Sequence, residues 1–195
     1  MYGLTTKHFG AKTFLGKPAK VMNRIEFLDQ LPEGGIGLEL GVASGHYSHA
    51  MCYKSQLSKI YGIDRYTDHH DDAEMTRMLD LLKDQIAINR YTFLRGSFEN
   101  YLKSFEDETF DFIYIDGYAH TGQENGATLD DWWPKLKPGG TFAGHDYHES
   151  YQQTIDAVDA FISKNNLELH ILQDLEGDWD FPSWYTFKHT GEHYE

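Results

Sequence analysis

The chain has 195 residues, enough for one domain with a sizeable core and too few for two of ordinary size. Its 31 Asp and Glu against 17 Lys and Arg give a formal charge of −14. Such a surface repels phosphate backbones and anionic lipid, so nucleic-acid and membrane partners are disfavoured.

In chain order, residues 1–20 are polar, carry Gly3, Gly10 and Gly16, and read as an N-terminal arm of a single domain spanning 1–195. Residues 21–31 set Met22, Ile25, Phe27, Leu28 and Leu31 at helical spacing, and Pro32 with Gly34 and Gly35 ends the helix. Residues 36–40 are an apolar run suited to a buried strand. Gly41, Ala43 and Gly45 follow as a turn with little side-chain bulk, then comes a helix over 46–56. A second buried strand over 60–63 closes on Asp64. Strand, small-residue turn, helix and strand make a βαβ unit whose turn lets a ligand approach the backbone.

His69 and His70 among Asp68, Asp71 and Asp72 invite a metal reading, but these acids fit better as caps of a helix over 75–89. That helix turns Met75, Met78, Leu79, Leu82, Ile86 and Ala87 inward. A strand over 92–95, a helix over 99–105 and a strand over 112–115 follow, the last ending in Asp116-Gly117. A helix over 129–136 and a turn over 137–140 lead to a strand over 141–143, which ends in Gly144-His145-Asp146. The helix over 150–164 buries Ile155, Val158, Ala160, Phe161 and Ile162. Two late strands, 167–172 and 184–187, are joined by an acidic, aromatic loop. This alternation with a terminal hairpin predicts an α/β, Rossmann-like doubly wound sheet, mostly parallel with one antiparallel strand. Cys52, the single cysteine, is expected in the core; it excludes an internal disulfide and fits a reducing compartment. With no run of membrane-span length and no signal-peptide core, the cytoplasm is the expected location.

The turn selects a ligand by what it lacks. A dinucleotide site calls for G-x-G-x-x-G and a phosphate loop for a Lys after its last Gly, and neither is present. Glu39 begins the turn instead, and Asp64 stands about 20 residues on, where an acid can hold both ribose hydroxyls. Two carboxylates without a basic residue suit a cationic nucleoside without phosphate, such as S-adenosylmethionine (SAM).

These residues, with Phe110 to Gly117, Asp131 to Gly140 and Ala143 to Tyr147, resemble class I SAM-dependent methyltransferases. The resemblance is nearest to the small O-methyltransferase branch of macrocin-type and other sugar or antibiotic enzymes. It implies the strand order 3-2-1-4-5-7-6. It also implies SAM contacts from Glu39, Gly41, Ala43, Ser44, Gly45, Asp64, Arg65, Ser97, Phe98, Asp116 and Gly117.

Asp116 and Asp146 end adjacent strands, and two carboxylates held side by side call for a counter-charge. The related enzymes carry one acid after strand four and an acidic pair after strand five. Here His145 replaces the first of that pair, so a metal site of Asp116, His145 and Asp146 suits Mn better than Mg, and hydrogen bonding without metal is the alternative. His120 follows Asp116 where similar enzymes place a His one residue earlier. A small bulge after Gly117 would restore the register, making His120 the expected base beside Asp116, with His148 a weaker candidate. Trp179, Phe181, Trp184, Tyr185 and Phe187 could stack on a sugar or aryl acceptor, though Trp184 and Phe187 are expected as strand core. The expected function is SAM-dependent O-methyl transfer to a small molecule or sugar. A SAM-binding regulatory or scaffold protein and an N-methyltransferase are the alternatives. The oligomeric state is open, a homodimer included.

Overall fold

The apolar runs form the middle of one seven-stranded sheet. The computed structural model describes residues 22–67, 69–173 and 181–190; the expected N-terminal arm, Asp68 and Trp179 lie outside them. Along the chain come α1 (Arg24–Phe27), β1 (Ile36–Leu40), α2 (His46–Lys54), β2 (Lys59–Asp64), α3 (Asp72–Ala87) and β3 (Tyr91–Arg95). Then follow α4 (Phe98–Tyr101), β4 (Phe110–Ile115), α5 (Gly122–Asn125), α6 (Ala127–Trp132), β5 (Leu136–Gly144), α7 (Gln152–Lys164), β6 (His170–Leu172) and β7 (Ser183–Phe187). The sheet order is β3-β2-β1-β4-β5-β7-β6. Among the described strands only β7 runs antiparallel to its neighbours, β5 and β6. The Rossmann-like order and the single reversed strand are thus both present.

The central strands are apolar throughout because both faces of the sheet are covered. Successive strand side chains point to opposite faces, and β4 shows the consequence. Phe112 and Tyr114 pack with Phe27, Met51, Met78 and Leu82 on one face, whereas Ile113 and Ile115 pack with Leu129, Trp132, Val158 and Phe161 on the other. Fully burying one such aliphatic or Phe side chain stabilises the fold by about 1.5–3 kcal/mol. Cys52 is buried in the first of these clusters, and burial pushes its thiol up to about 12.

Local signals place the helices. Asn23 caps α1 by accepting from the Ile25 and Glu26 amides, while Glu26 accepts from the Asn23 amide. Asp71 caps α3 by accepting from the Glu74 amide at 2.8 Å, the role expected of that acidic stretch.

Several expectations are corrected. Residues 137–140 do not form a turn ahead of β5 but belong to it. Leu136 pairs with Phe110 and Thr141 with Phe112, so the residues between them bulge out of register, with Gly139 at φ 77°. Ala87 and Ala160 face solvent, because α3 and α7 bury narrower stripes than supposed, with Gln85 and Thr154 inside. Phe187 is 47% exposed at the end of β7, while Trp184 is buried as expected. Among the described residues no helix is long and apolar enough to cross a membrane.

Candidate active site

The carboxyl ends of β1, β2, β4 and β5 open into a cleft of about 290 Å³. Of the expected site residues, Gly41, Ala43, Asp64, Arg65, Phe98, Asp116, Gly117, His120 and Asp146 line it. Glu39, Ser44, Gly45, Ser97 and His145 do not.

Asp64 organises the turn. Its Oδ2 accepts from the Val42 and Ala43 amides at 2.8 and 3.0 Å, and its Oδ1 from the Tyr66 amide at 3.0 Å. A carboxylate offers about four acceptor positions, so these three bonds leave about one for a ligand. The Tyr66 hydroxyl donates to the Ala43 carbonyl and fastens the same turn from outside.

Glu39 lies beneath the turn and is 1% exposed. It accepts a hydrogen bond from the Ser48 hydroxyl, which lies 2.9 Å from the Tyr91 hydroxyl. Burial pushes the Glu39 carboxyl well above its ordinary value, so negative charge is disfavoured there. Gly62 makes room for this network, since a Cβ would lie 2.0 Å from the Tyr91 oxygen. Ser44 is turned away from the cleft, its hydroxyl 3.1 Å from His46 Nδ1.

Arg65 sits over the Tyr118 ring at 5.3 Å, and Phe98 packs on that ring at 4.7 Å. After Gly117 comes a left-handed residue, Tyr118 at φ 60°, followed by a tight turn carrying His120. His120 is exposed to the cleft, with its ring 5.2 Å from Tyr151 and 6.4 Å from His69.

Asp116, His145 and Asp146 converge at the cleft floor. His145 Nδ1 lies 3.5 Å from Asp116 Oδ1 and 3.1 Å from Asp146 Oδ1, and Arg24 Nη1 lies 3.7 Å from Asp116 Oδ2. Arg24 also donates to the Tyr114 hydroxyl at 3.3 Å and stands over the Tyr47 ring. Burial opposes charge on His145, but Asp116 foremost, and then Tyr114 and Asp146, outweigh it, so its pKa is raised to about 12. Burial likewise opposes charge on Asp116, and His145 and Arg24 outweigh it, holding the carboxyl below its ordinary value. His145 thus lies against both acids, and its raised pKa favours an imidazolium there. The donor atoms of the three residues lie within 4.8 Å of one another, so their spacing also fits a small cation, which would have to displace the His145 proton.

These shifts predict how stability responds to pH. The contribution from His145 is complete below its unfolded value near 6.5 and is lost as pH rises toward 12. The Asp116 contribution is complete above its unfolded value near 3.8 and is lost as pH falls through its lower folded value. In urea melts with chelator, the stability gap between the wild type and His145→Gln should be widest near about pH 6 and narrow by up to about 1.4 kcal/mol per unit above that. A gap that stays flat to pH 9 would show that no imidazolium holds the acids.

Sequence reasoning missed Arg24, Tyr66, Tyr118 and Tyr151. Arg24 left a signal, being the only basic residue of the 21–31 helical stretch. The tyrosines left little, because loop aromatics carry no period.

The family described as a methyltransferase domain matches residues 38–147. No curated protein matches the sequence significantly. Similar solved structures include a precorrin-6y C5,15-methyltransferase from Geobacter metallireducens, with a TM-score of 0.64, 16% identity and coverage of 84% of each chain. An rRNA methylase from Streptococcus thermophilus has a TM-score of 0.62 at 17% identity, over 85% of this chain and 93% of that one. An O-methyltransferase from Bacillus cereus, solved with S-adenosylhomocysteine (SAH), has a TM-score of 0.59 at 14% identity, over 78% of this chain and 74% of that one. At these identities the likeness is one of fold, and the names span three kinds of acceptor.

Proposed function

This chain belongs to the methyltransferase-domain family and is a class I SAM-dependent methyltransferase, and on that premise we propose that it methylates a hydroxyl of a small molecule or sugar. The observation that carries the reading is that Asp116 and His120 line the cleft into which the Gly41 turn opens.

The lining residues fit SAM. The turn is free of bulk, Asp64 keeps one acceptor position, and no lysine among the lining residues calls for a phosphate. Gly41, Ala43, Asp64, Arg65, Phe98 and Gly117 would hold the nucleoside, with Ser44, Gly45 and Ser97 shaping the backbone beside it and Glu39 supporting the turn. When bound, SAM supplies a methyl carbon already activated by its sulfonium. The protein's task is then alignment and proton removal. The acceptor hydroxyl donates its hydrogen bond to His120, which takes its proton, and the Asp116 carboxylate in the same lining favours the imidazolium so formed. His145 does not serve as base, because a group held charged to about pH 12 has no free lone pair at neutral pH. His148 has its Nδ1 3.2 Å from the Ser150 amide, where it caps a turn, and does not line the cleft.

Calorimetry tests the placement. Asp64→Ala should weaken SAH binding about 10- to 150-fold, the loss expected for one charge-assisted contact of about 1.5–3 kcal/mol. Unchanged affinity would remove the nucleoside from this turn. The divalent ion is decided by chelation. Activity that disappears with chelator and returns with Mn assigns Asp116, His145 and Asp146 to a metal. Activity that survives assigns the counter-charge to the imidazolium.

A further inference from the structure

Four rings from four separate loops meet on one side of the cleft. His69 precedes α3, His120 follows β4, Tyr151 precedes α7 and Phe181 precedes β7. The His120 ring lies 6.4 Å from His69 and 5.2 Å from Tyr151, and Tyr151 meets Phe181 edge-on at 5.3 Å and 81°. These separations fall within the range of attractive aromatic pairs. None of them belongs to the buried core clusters. The polar edges of His69, His120 and Tyr151 have no hydrogen-bond partner among the described residues, so the core does not account for the cluster.

The charge beside the rings is one-sided. Asp116 and Asp146 present carboxylates to the cleft, and His145, which balances them, is 7% exposed beneath. No lysine lines the cleft among the described residues, and Arg65 is set over Tyr118. An acceptor bearing phosphate or carboxylate would meet these two carboxylates ahead of the buried His145 that balances them.

We propose that this ring wall is the acceptor subsite and that it takes an uncharged aryl hydroxyl compound. The proposal rests on the methyl-transfer reading and narrows it. The flat ring of the acceptor packs on Tyr151, with Phe181 behind. Its hydroxyl reaches toward His120, in the lining that also holds Asp116 and Asp146.

The test is calorimetry on the SAH-saturated protein with 2-naphthol and three substituted phenols. Methyl glucoside and 4-hydroxyphenyl phosphate serve as rivals, and labelled-methyl transfer to each compound is measured in parallel. At least one uncharged phenol should bind and be methylated, and the phosphate should not. Tyr151→Ala should weaken that binding about tenfold. Tyr151→Phe should stay within about twofold, since the ring rather than the hydroxyl makes the contact, and SAH affinity should not change in either variant. The proposal alone is overturned if no phenol binds, if methyl glucoside is the compound methylated, or if Tyr151→Ala binds phenol like the wild type. Failure to bind SAH at all would overturn the methyltransferase reading, and this proposal with it.

Discussion

His120→Ala should turn over about 10²- to 10⁴-fold more slowly than the wild type while binding SAH with nearly the same affinity. That range is the usual cost of removing a positioned general base, and an acceptor hydroxyl is a poor nucleophile until its proton leaves. The geometry separates the two effects. Asp64, Tyr66 and the amides of Val42 and Ala43 fasten the cofactor turn without His120. His120 is exposed and its neighbours are rings rather than buried polar groups, so truncation leaves no unsatisfied partner in the core. Because the ring faces open space, added imidazole should diffuse into the cleft of the variant and restore part of the rate, which a purely structural role would not allow. A variant that works at the wild-type rate would show that His120 is not the base and that the acceptor hydroxyl loses its proton to solvent, as a metal-bound hydroxyl would.

How far the sequence could be read depended on whether a residue acts through its neighbours in the chain or through space. The Gly41 turn and the strands were legible, because small-residue spacing and apolar runs are local properties tied to backbone geometry, whereas the strand order followed from the family resemblance. The Asp71 cap was legible for the same reason. Asp64 stands at the strand end where it was expected, and three backbone amides donate to it. A carboxylate at a strand end is visible in sequence, whereas its satisfaction by three backbone amides depends on how the turn folds back. Glu39 shows the same limit, since its partner Ser48 is tied to Tyr91, 43 residues further along the chain, and only Gly62 hints that something large must approach β2. Counter-charge was the least legible property. Between Asp116 and Asp146 stands His145 from the same short motif, and Arg24 approaches Asp116 from a helix ahead of the matched region.

Gly41→Ala should do more damage than any other single methyl added near the cleft. Gly41 has φ 95°, which an L side chain rarely adopts, and a Cβ there would lie 2.1 Å from the Asp116 carbonyl oxygen and 2.6 Å from its carbon. The obstacle is backbone, so no rotamer change relieves it. That backbone is also fixed, since the Asp116 amide donates to the Leu40 carbonyl at 2.7 Å and the Gly41 amide to the Ile63 carbonyl at 2.9 Å. Relief would have to separate β1 from β4, which moves Asp116 away from His145 and Arg24 and pulls the turn off Asp64. Gly34→Ala is the control, because Gly34 has φ 77° but nothing within 4 Å of a Cβ. It should cost only the backbone term, about 1–2 kcal/mol. Gly41→Ala should cost more than about 4 kcal/mol, in the range reserved for clashes and broken networks. Any folded fraction should bind SAH more than about 100-fold more weakly, the scale on which a displacement of 1 Å acts. Urea melts and calorimetry on both variants separate strain from clash. Equal stability losses at Gly34 and Gly41 would mean that β1 and β4 do not approach as closely as this geometry requires, and that the turn is not braced by Asp116.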